Sequence, residues 1–212
     1  GSATSLITVT VTNAAPLVSN LTGTASGLEG GTYSYSVQAV DPGSGDVLSY
    51  SWNFGDGTAP VVTSTGQVTH IFADDGTFGV EVTVTDNASP PASDSQTMLV
   101  VVGNVAPLLG NVSAAGGNEG ASLSFSATAT DPGADTLVYT WTMGDGTTHT
   151  GASVNHVYAD DGTYALTLIV SDGDGGTDSA SANIVIDNVA PTIISATMSS
   201  GDEGDSLLFA AS

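Results

Sequence analysis

The chain has no lysine, no arginine and no cysteine among its 212 residues, against 22 acidic residues and a formal net charge of −22. The missing basic side chains exclude nucleic acid and anionic membrane surfaces as partners, because both are bound through Lys and Arg. They also leave the carboxylates without a Lys or Arg to pair with, and no internal salt bridge is expected. Two carboxylates about 4 Å apart repel by about 1 kcal/mol in water and about 4 kcal/mol at an effective dielectric of about 20. Clustered acids therefore call for solvent, backbone N–H donors or a bound cation. The missing cysteine excludes disulfides and a thiol nucleophile, and the missing lysine excludes a phosphate-binding P-loop. A β-domain of this size can build a core without disulfides, so export remains open. No apolar run reaches the ~18–20 residues of a membrane helix, and no signal peptide is recognised. The chain starts and stops inside a repeat, so such signals are expected outside it.

Gly, Ser, Thr, Ala and Val dominate instead, which is a strand-and-turn composition. The hydrophobic fraction of 40% is ordinary for a folded chain. Internal repetition sets the organisation. The string opening at Asn13 (NAAP) returns as NVAP at Asn104 and again at Asn188; EG at Glu29 returns at Glu119 and Glu203; DPG at Asp41 returns at Asp131. WNFGDGT from Trp52 returns as WTMGDGT from Trp141, and FADDGTF from Phe72 as YADDGTY from Tyr158. The repeats are read as residues 13–103 and 104–187. Residues 1–12 are expected to be the last strand of a preceding repeat, and residues 188–212 the first strands of a third. Within a repeat the apolar period is two: Tyr50, Trp52 and Phe54; Phe78, Val80, Val82 and Val84; and the second repeat's Tyr139, Trp141, Met143 and Tyr164, Leu166, Leu168, Val170. That is half-buried strand, and no segment has a helical period. About seven such strands per repeat predict tandem immunoglobulin-like β-sandwiches, an all-β fold.

The Trp-x-x-Gly-Asp-Gly-Thr strings, the later His-x-aromatic-Ala-Asp-Asp-Gly-Thr-aromatic strings and the opening Asn-x-Ala-Pro resemble the PKD (polycystic kidney disease) domain family over essentially the whole chain. The resemblance implies an immunoglobulin-like sandwich, and a place in surface-layer proteins, adhesins, or accessory modules of secreted proteases and chitinases. From the residues, Trp52 and Trp141 are expected to fill the sandwich centres. GDGT reads as a hairpin turn in which Gly supplies positive φ and Asp56 and Asp145 cap backbone N–H groups. The DDGTF/Y strings resemble a tyrosine corner. His70 and His156 share one repeat position and read as structural, while His149 reads as unpaired and exposed. The paired aspartates fall in turns repeated in each domain, which suits scaffolding better than acid–base catalysis, and the chain is read as non-enzymatic.

Calcium is the cofactor the sequence points to, because hard oxygen ligands are abundant. In a seven-stranded sandwich the N-terminus and the B–C and F–G loops meet at one pole, and the A–B and E–F loops at the other. Asn104, Asp131, Asp135 and Asp172 are thus expected to meet Glu29, Asp74 and Asp75 at one junction. Glu119, Asp160, Asp161, Asp187 and Asn188 are expected at the next, and Asn13, Asp41, Asp46 and Asp86 at the one before. This is similar to the calcium-clamped linkers of cadherin-like arrays, by fold analogy. Asp187 has Gly103 and Thr12 as counterparts, so the ligands are not uniform. Asp75 and Asp161 also fit pure corner residues, and Asp174 a flexible turn. Asn20, Asn87 and Asn111 match the glycosylation sequon. The function expected is a structural repeat array of an extracellular stalk, adhesin or filament, whose partners are its neighbouring repeats and other copies of the chain, with strand exchange a further route to assembly. The alternative is a polysaccharide- or collagen-binding accessory module of a secreted hydrolase. With only 13 aromatic residues (two Trp, six Tyr, five Phe), most at inward positions, a stacking platform is thinly supplied.

Overall fold

The alternating strands fold in the computed structural model into an all-β chain, described over residues 6–43, 45–192, 196–198, 203–204 and 209–211. The first repeat contains β1 (Leu17–Gly23), β2 (Ser26–Leu28), β3 (Thr32–Val40), β4 (Ser49–Asn53), β5 (Val61–Thr63), β6 (Gln67–Ile71), β7 (Gly76–Thr85) and β8 (Ser93–Gly103). They form a three-stranded sheet, β1-β3-β6, and a five-stranded sheet, β2-β8-β7-β4-β5. The second repeat contains β9 (Leu108–Ser113), β10 (Gly117–Asn118), β11 (Ser122–Thr130), β12 (Val138–Thr142), β13 (Thr148–Thr150), β14 (Ser153–Val157), β15 (Gly162–Ser171) and β16 (Thr177–Asp187). Its sheets follow the same plan, β14-β11-β9 and β10-β16-β15-β12-β13. A further pair, β17 (Ala196–Met198) and β18 (Phe209–Ala211), is antiparallel. Residues 6–16 carry no strand; the rest of the strand expected over 1–12 and much of the third repeat lie outside the described residues.

Each repeat thus holds eight strands, where the periodicity suggested about seven. The additional ones are the short β2 and β10, which leave the smaller sheet and pair parallel with the far edge of the larger one, Ser26 opposite Val101 and Gly117 opposite Ile186. A two- or three-residue segment is too short to show a period. Small residues let it pass close to the core: a Cβ on Gly27 would lie 2.7 Å from the Tyr33 hydroxyl.

The inward period-two residues make the core. Trp52, Phe54, Phe72, Val80, Val82, Val84 and Val100 are wholly buried in the first repeat, and Trp141, Met143 and Val170 in the second. Two of the aromatic pairs meet edge-on, Tyr33 with Phe72 at 5.0 Å and Phe54 with Phe72 at 6.4 Å, a favourable arrangement for aromatic quadrupoles. Both indole N–H groups find acceptors, Trp52 on the Thr63 hydroxyl at 3.2 Å and Trp141 on the Gly151 carbonyl at 3.0 Å. By contact density the chain divides into two compact units. The first holds residues 1–108 together with loops 129–138 and 170–178; the second holds 109–128, 139–169 and 179–212.

Candidate cation site

The first compact unit brings together the acids of several loops. The turn after β2 carries Glu29, which is only 2% exposed. Three backbone bonds set that turn: the Glu29 N–H donates to the Gly103 carbonyl at 3.1 Å, the Gly30 N–H to the Phe72 carbonyl at 2.9 Å, and the Gly31 N–H to the Leu28 carbonyl at 3.2 Å. Gly30 has φ of 68°, and a Cβ there would lie 2.7 Å from the Pro132 carbonyl oxygen, so glycine is required. Loop 129–138 is held by the Ala134 N–H donating to the Ala73 carbonyl at 2.7 Å.

One carboxylate oxygen of Glu29 accepts the Val105 N–H at 2.6 Å. The other, Oε2, is buried and has no hydrogen-bond partner. Glu29, Asp131 and Asp135 present oxygens that all lie within 4.8 Å of one another; so do Glu29, Asp74 and Asp75, and so do Asp74, Asp135 and Asp174. Asp131 Oδ1 accepts the Gly133 N–H at 2.9 Å, whereas Asp131 Oδ2 and Asp135 Oδ2 are buried and unpartnered. The Asn104 side-chain oxygen is likewise buried without a partner. Gly133 lies against the cluster, since a Cβ there would stand 2.9 Å from both Asp135 Oδ2 and Glu29 Oε2.

The electrostatics reflect this crowding. Burial pushes the Glu29 carboxyl above its ordinary value, the Val105 N–H opposes the shift, and repulsion from Asp135, Asp131 and Asp75 adds to it. Asp135 is raised by burial and then by Asp131, Asp74, Asp174 and Asp172. Asp174 is raised by burial and by Asp75, Asp74 and Asp172. Asp172 behaves in the opposite way: its Oδ2 accepts the Asn104 amide at 2.9 Å, and its Oδ1 accepts the N–H groups of Asp174 and Gly176 at 2.9 and 3.0 Å. The Asn104 bond leads the causes that hold its carboxyl low. Asp172 therefore fixes the loop and has both oxygens engaged, while the other acids of the cluster keep free lone pairs. Such a set of hard oxygens suits Ca²⁺, which takes 6–8 of them.

Of the remaining candidates, Glu119, Asp160 and Asp161 also converge within 4.8 Å, in the second unit. Glu119 there accepts the Val189 N–H at 2.7 Å, and its own N–H donates to the Asp187 carbonyl at 3.0 Å. Asp187 and Asn188 are exposed and belong to none of these converging sets. Asn13 donates to Asp86 Oδ2 at 2.8 Å, while Asp86 Oδ1 takes the Ala88 and Ala92 N–H groups, repeating the Asn104–Asp172 arrangement. Asp41, Asp46 and Asp86 are not drawn into a converging set of three. Asp41 Oδ2 is nevertheless buried and unpartnered, and Asp46 is raised by burial and then by Asp41 and Asp86.

Two sequence readings, of Asp174 and of His149, need correction. Asp174, read as a flexible turn, joins the cluster; the signal was its place two residues after Asp172. Histidine also hydrogen-bonds two aspartates outside the cluster: His70 Nε2 lies 2.6 Å from Asp56 Oδ2, and His156 Nε2 lies 2.8 Å from Asp145 Oδ2. His149, expected unpaired and exposed, is half-buried against His156. The GDGT reading holds in detail: Thr58 donates its N–H and hydroxyl to Asp56 Oδ1 at 3.0 and 2.6 Å, Thr147 does the same to Asp145 at 2.9 and 2.6 Å, and all four flanking glycines have positive φ. The corner is present in the second repeat, where the Tyr164 hydroxyl donates to the Asp160 carbonyl at 3.0 Å. Phe78 has no hydroxyl to do so in the first.

The opposed shifts predict a pH profile. Glu29 and Asp135 hold protons more tightly folded than unfolded, so in metal-free protein their cost is relieved as pH falls through their raised values towards the ordinary 4.5 and 3.8. Asp86 and Asp172 are depressed, so their contribution is present above 3.8 and is lost as pH falls through their folded values. Calorimetry in EDTA should show the melting midpoint climb on acidification from neutrality and then fall in stronger acid. A steady decline from pH 7 downwards would contradict the assignment.

A groove of about 610 Å³ is lined by Thr22, Ser34, Tyr35, Ser36, Thr65, Gln67 and their neighbours. Its one titratable group is the Tyr35 phenol, pushed up to about 12 by burial and then by Tyr33, which does not suit acid–base work near neutrality.

The repeated sandwiches and their loop chemistry define an immunoglobulin-like repeat protein. The chain belongs to the PKD domain family, whose model matches residues 13–102 and 104–186. It is 36% identical over 39% of its length to Collagenase ColA of Bacillus cereus, and 32% identical over 63% of its length to Chitinase A of Pseudoalteromonas piscicida. It is 35% identical over 55% of its length to Polycystin-1 of Homo sapiens. The matches span only 8%, 16% and 3% of those proteins. Among solved structures, the amphioxus IgVJ-C2 molecule aligns over 76% of this chain and 99% of its own at 17% identity, with a TM-score of 0.45.

Proposed function

We propose that these PKD repeats are non-catalytic structural modules of an extracellular stalk, adhesin or filament, and that the acidic cluster around Glu29 holds Ca²⁺. The observation that carries the reading is Glu29 Oε2, a buried carboxylate oxygen without a hydrogen-bond partner, set among Asp131 and Asp135 in a chain without Lys or Arg. An anionic oxygen deprived of both water and donors costs free energy unless a cation replaces them. A bound Ca²⁺ would fasten loop 129–138 to the Glu29 turn, tying consecutive repeats as a stalk under tension requires. Extracellular modules bind calcium at about 10⁻⁴–10⁻³ M, so the ion is held outside a cell and released inside. Gly133→Ala tests the site without altering any carboxylate. Its methyl group would occupy the space between Glu29 and Asp135, and calorimetric titration should show calcium binding weakened at least about tenfold. Unchanged binding would remove this cluster from consideration.

A second reading is favoured by the relatives, two of which are named as a collagenase and a chitinase. On it, the repeats are an accessory module gripping collagen or polysaccharide. Within residues 13–187 no Trp, Tyr or Phe is exposed, which disfavours a stacking platform there. Retention on insoluble collagen or chitin would favour this reading over the stalk.

A further inference from the structure

The second repeat contains a histidine pair that the first does not. We propose that His149 and His156 form a binding site for one divalent transition-metal ion of the nickel–copper–zinc type, oriented by Asp145. His149 Nε2 lies 3.2 Å from His156 Nδ1. With metal–nitrogen bonds of about 2.0–2.1 Å, two imidazoles on one ion have nitrogens about 2.9–3.4 Å apart, across right-angled to tetrahedral coordination. The separation present matches the bite of a single ion.

The tautomers favour the same assignment. Asp145 Oδ1 accepts the Thr147 N–H and hydroxyl at 2.9 and 2.6 Å, which leaves Oδ2 for His156. As an anion it only accepts, so His156 Nε2 carries the proton it donates across 2.8 Å. With the proton on Nε2, it is Nδ1 that faces His149. A carboxylate on the distal nitrogen of a metal-binding histidine fixes the ring and raises its basicity. The ring is further fixed by burial, with 8% exposure, and by the Tyr158 ring edge-on at 4.5 Å. His149 needs only the tautomer with its proton on Nδ1. It is half-buried, so the ion has an entrance and solvent completes its coordination.

The first repeat is a built-in control. It keeps the aspartate–histidine pair, Asp56 with His70, but His149 is replaced. His149 pairs in register with Trp141, and the residue paired with Trp52 is Val61. His70 instead stacks on Phe54 at 3.7 Å. A lone histidine with no second nitrogen lacks the chelate. Calcium does not compete, because it prefers oxygen; the two sites can fail or succeed separately.

The test uses the whole chain in saturating calcium at neutral pH. Its three histidines give three sets of ring resonances. Substoichiometric Zn²⁺ should shift those of His149 and His156 together and leave His70 in place, saturating at one equivalent. His149→Val, which copies the first repeat, should weaken zinc binding at least tenfold with the melting midpoint in EDTA retained. Asp145→Asn should weaken it about 10–100-fold. The proposal is overturned if the three histidines respond alike or not at all, or if His149→Val binds zinc as tightly as the native chain.

Discussion

In about 10 mM calcium the chain is expected to melt well above its midpoint in EDTA. At dissociation constants of about 10⁻⁴–10⁻³ M the ion is present at about 10–100 times its constant, which stabilises the folded state by about 1–3 kcal/mol. For a domain of roughly 100 residues that corresponds to a rise of about 5–15 °C. The companion variant is Glu29→Gln, which keeps an acceptor for the Val105 N–H and removes the charge. In EDTA it should melt above the native chain, since it removes a buried acid already raised by burial and by Asp135, Asp131 and Asp75. In calcium it should melt below the native chain, having lost a ligand. That inversion separates a cation site from a set of solvated turn residues: an identical native midpoint with and without calcium would refute the first.

The second large effect lies in the sandwich centre. Trp52→Ala should cost about 3–5 kcal/mol, because a wholly buried indole leaves a cavity and its N–H bond to Thr63 is lost. Against a typical domain stability of about 5–15 kcal/mol, this should lower the first repeat's transition by at least about 15 °C. Differential scanning calorimetry should show that transition move while a second, belonging to the repeat that keeps Trp141, stays closer to its place. A shift below about 5 °C would mean that Trp52 does not anchor its sandwich.

Much of this could be read from local pattern. The period-two strands, the glycines of the GDGT turns and the buried tryptophans follow from side-chain alternation and from backbone angles that only glycine takes up easily. The convergence of Glu29 with Asp131 and Asp135 was expected from which loops share a pole of a sandwich. What remained hidden depends on atoms. Asp172 and Asp131 look equivalent along the chain, yet one has both oxygens engaged by donors and the other keeps a buried orphan. His149 looked solitary because its partner comes from the next strand, across a turn that brings β13 and β14 together.

The chain's lack of Lys and Arg was determined by sequence alone, and with it the crowding of carboxylates that have no Lys or Arg to pair with. The fold class followed from repeat and period, both of which are one-dimensional. Only tertiary structure decided which carboxylates that crowding acts upon, because desolvation and hydrogen bonding vary with burial and with the direction of each oxygen. Among 22 acidic residues it separates those that tie loops, such as Asp86 and Asp172, from those left facing one another without a donor, Glu29, Asp131 and Asp135.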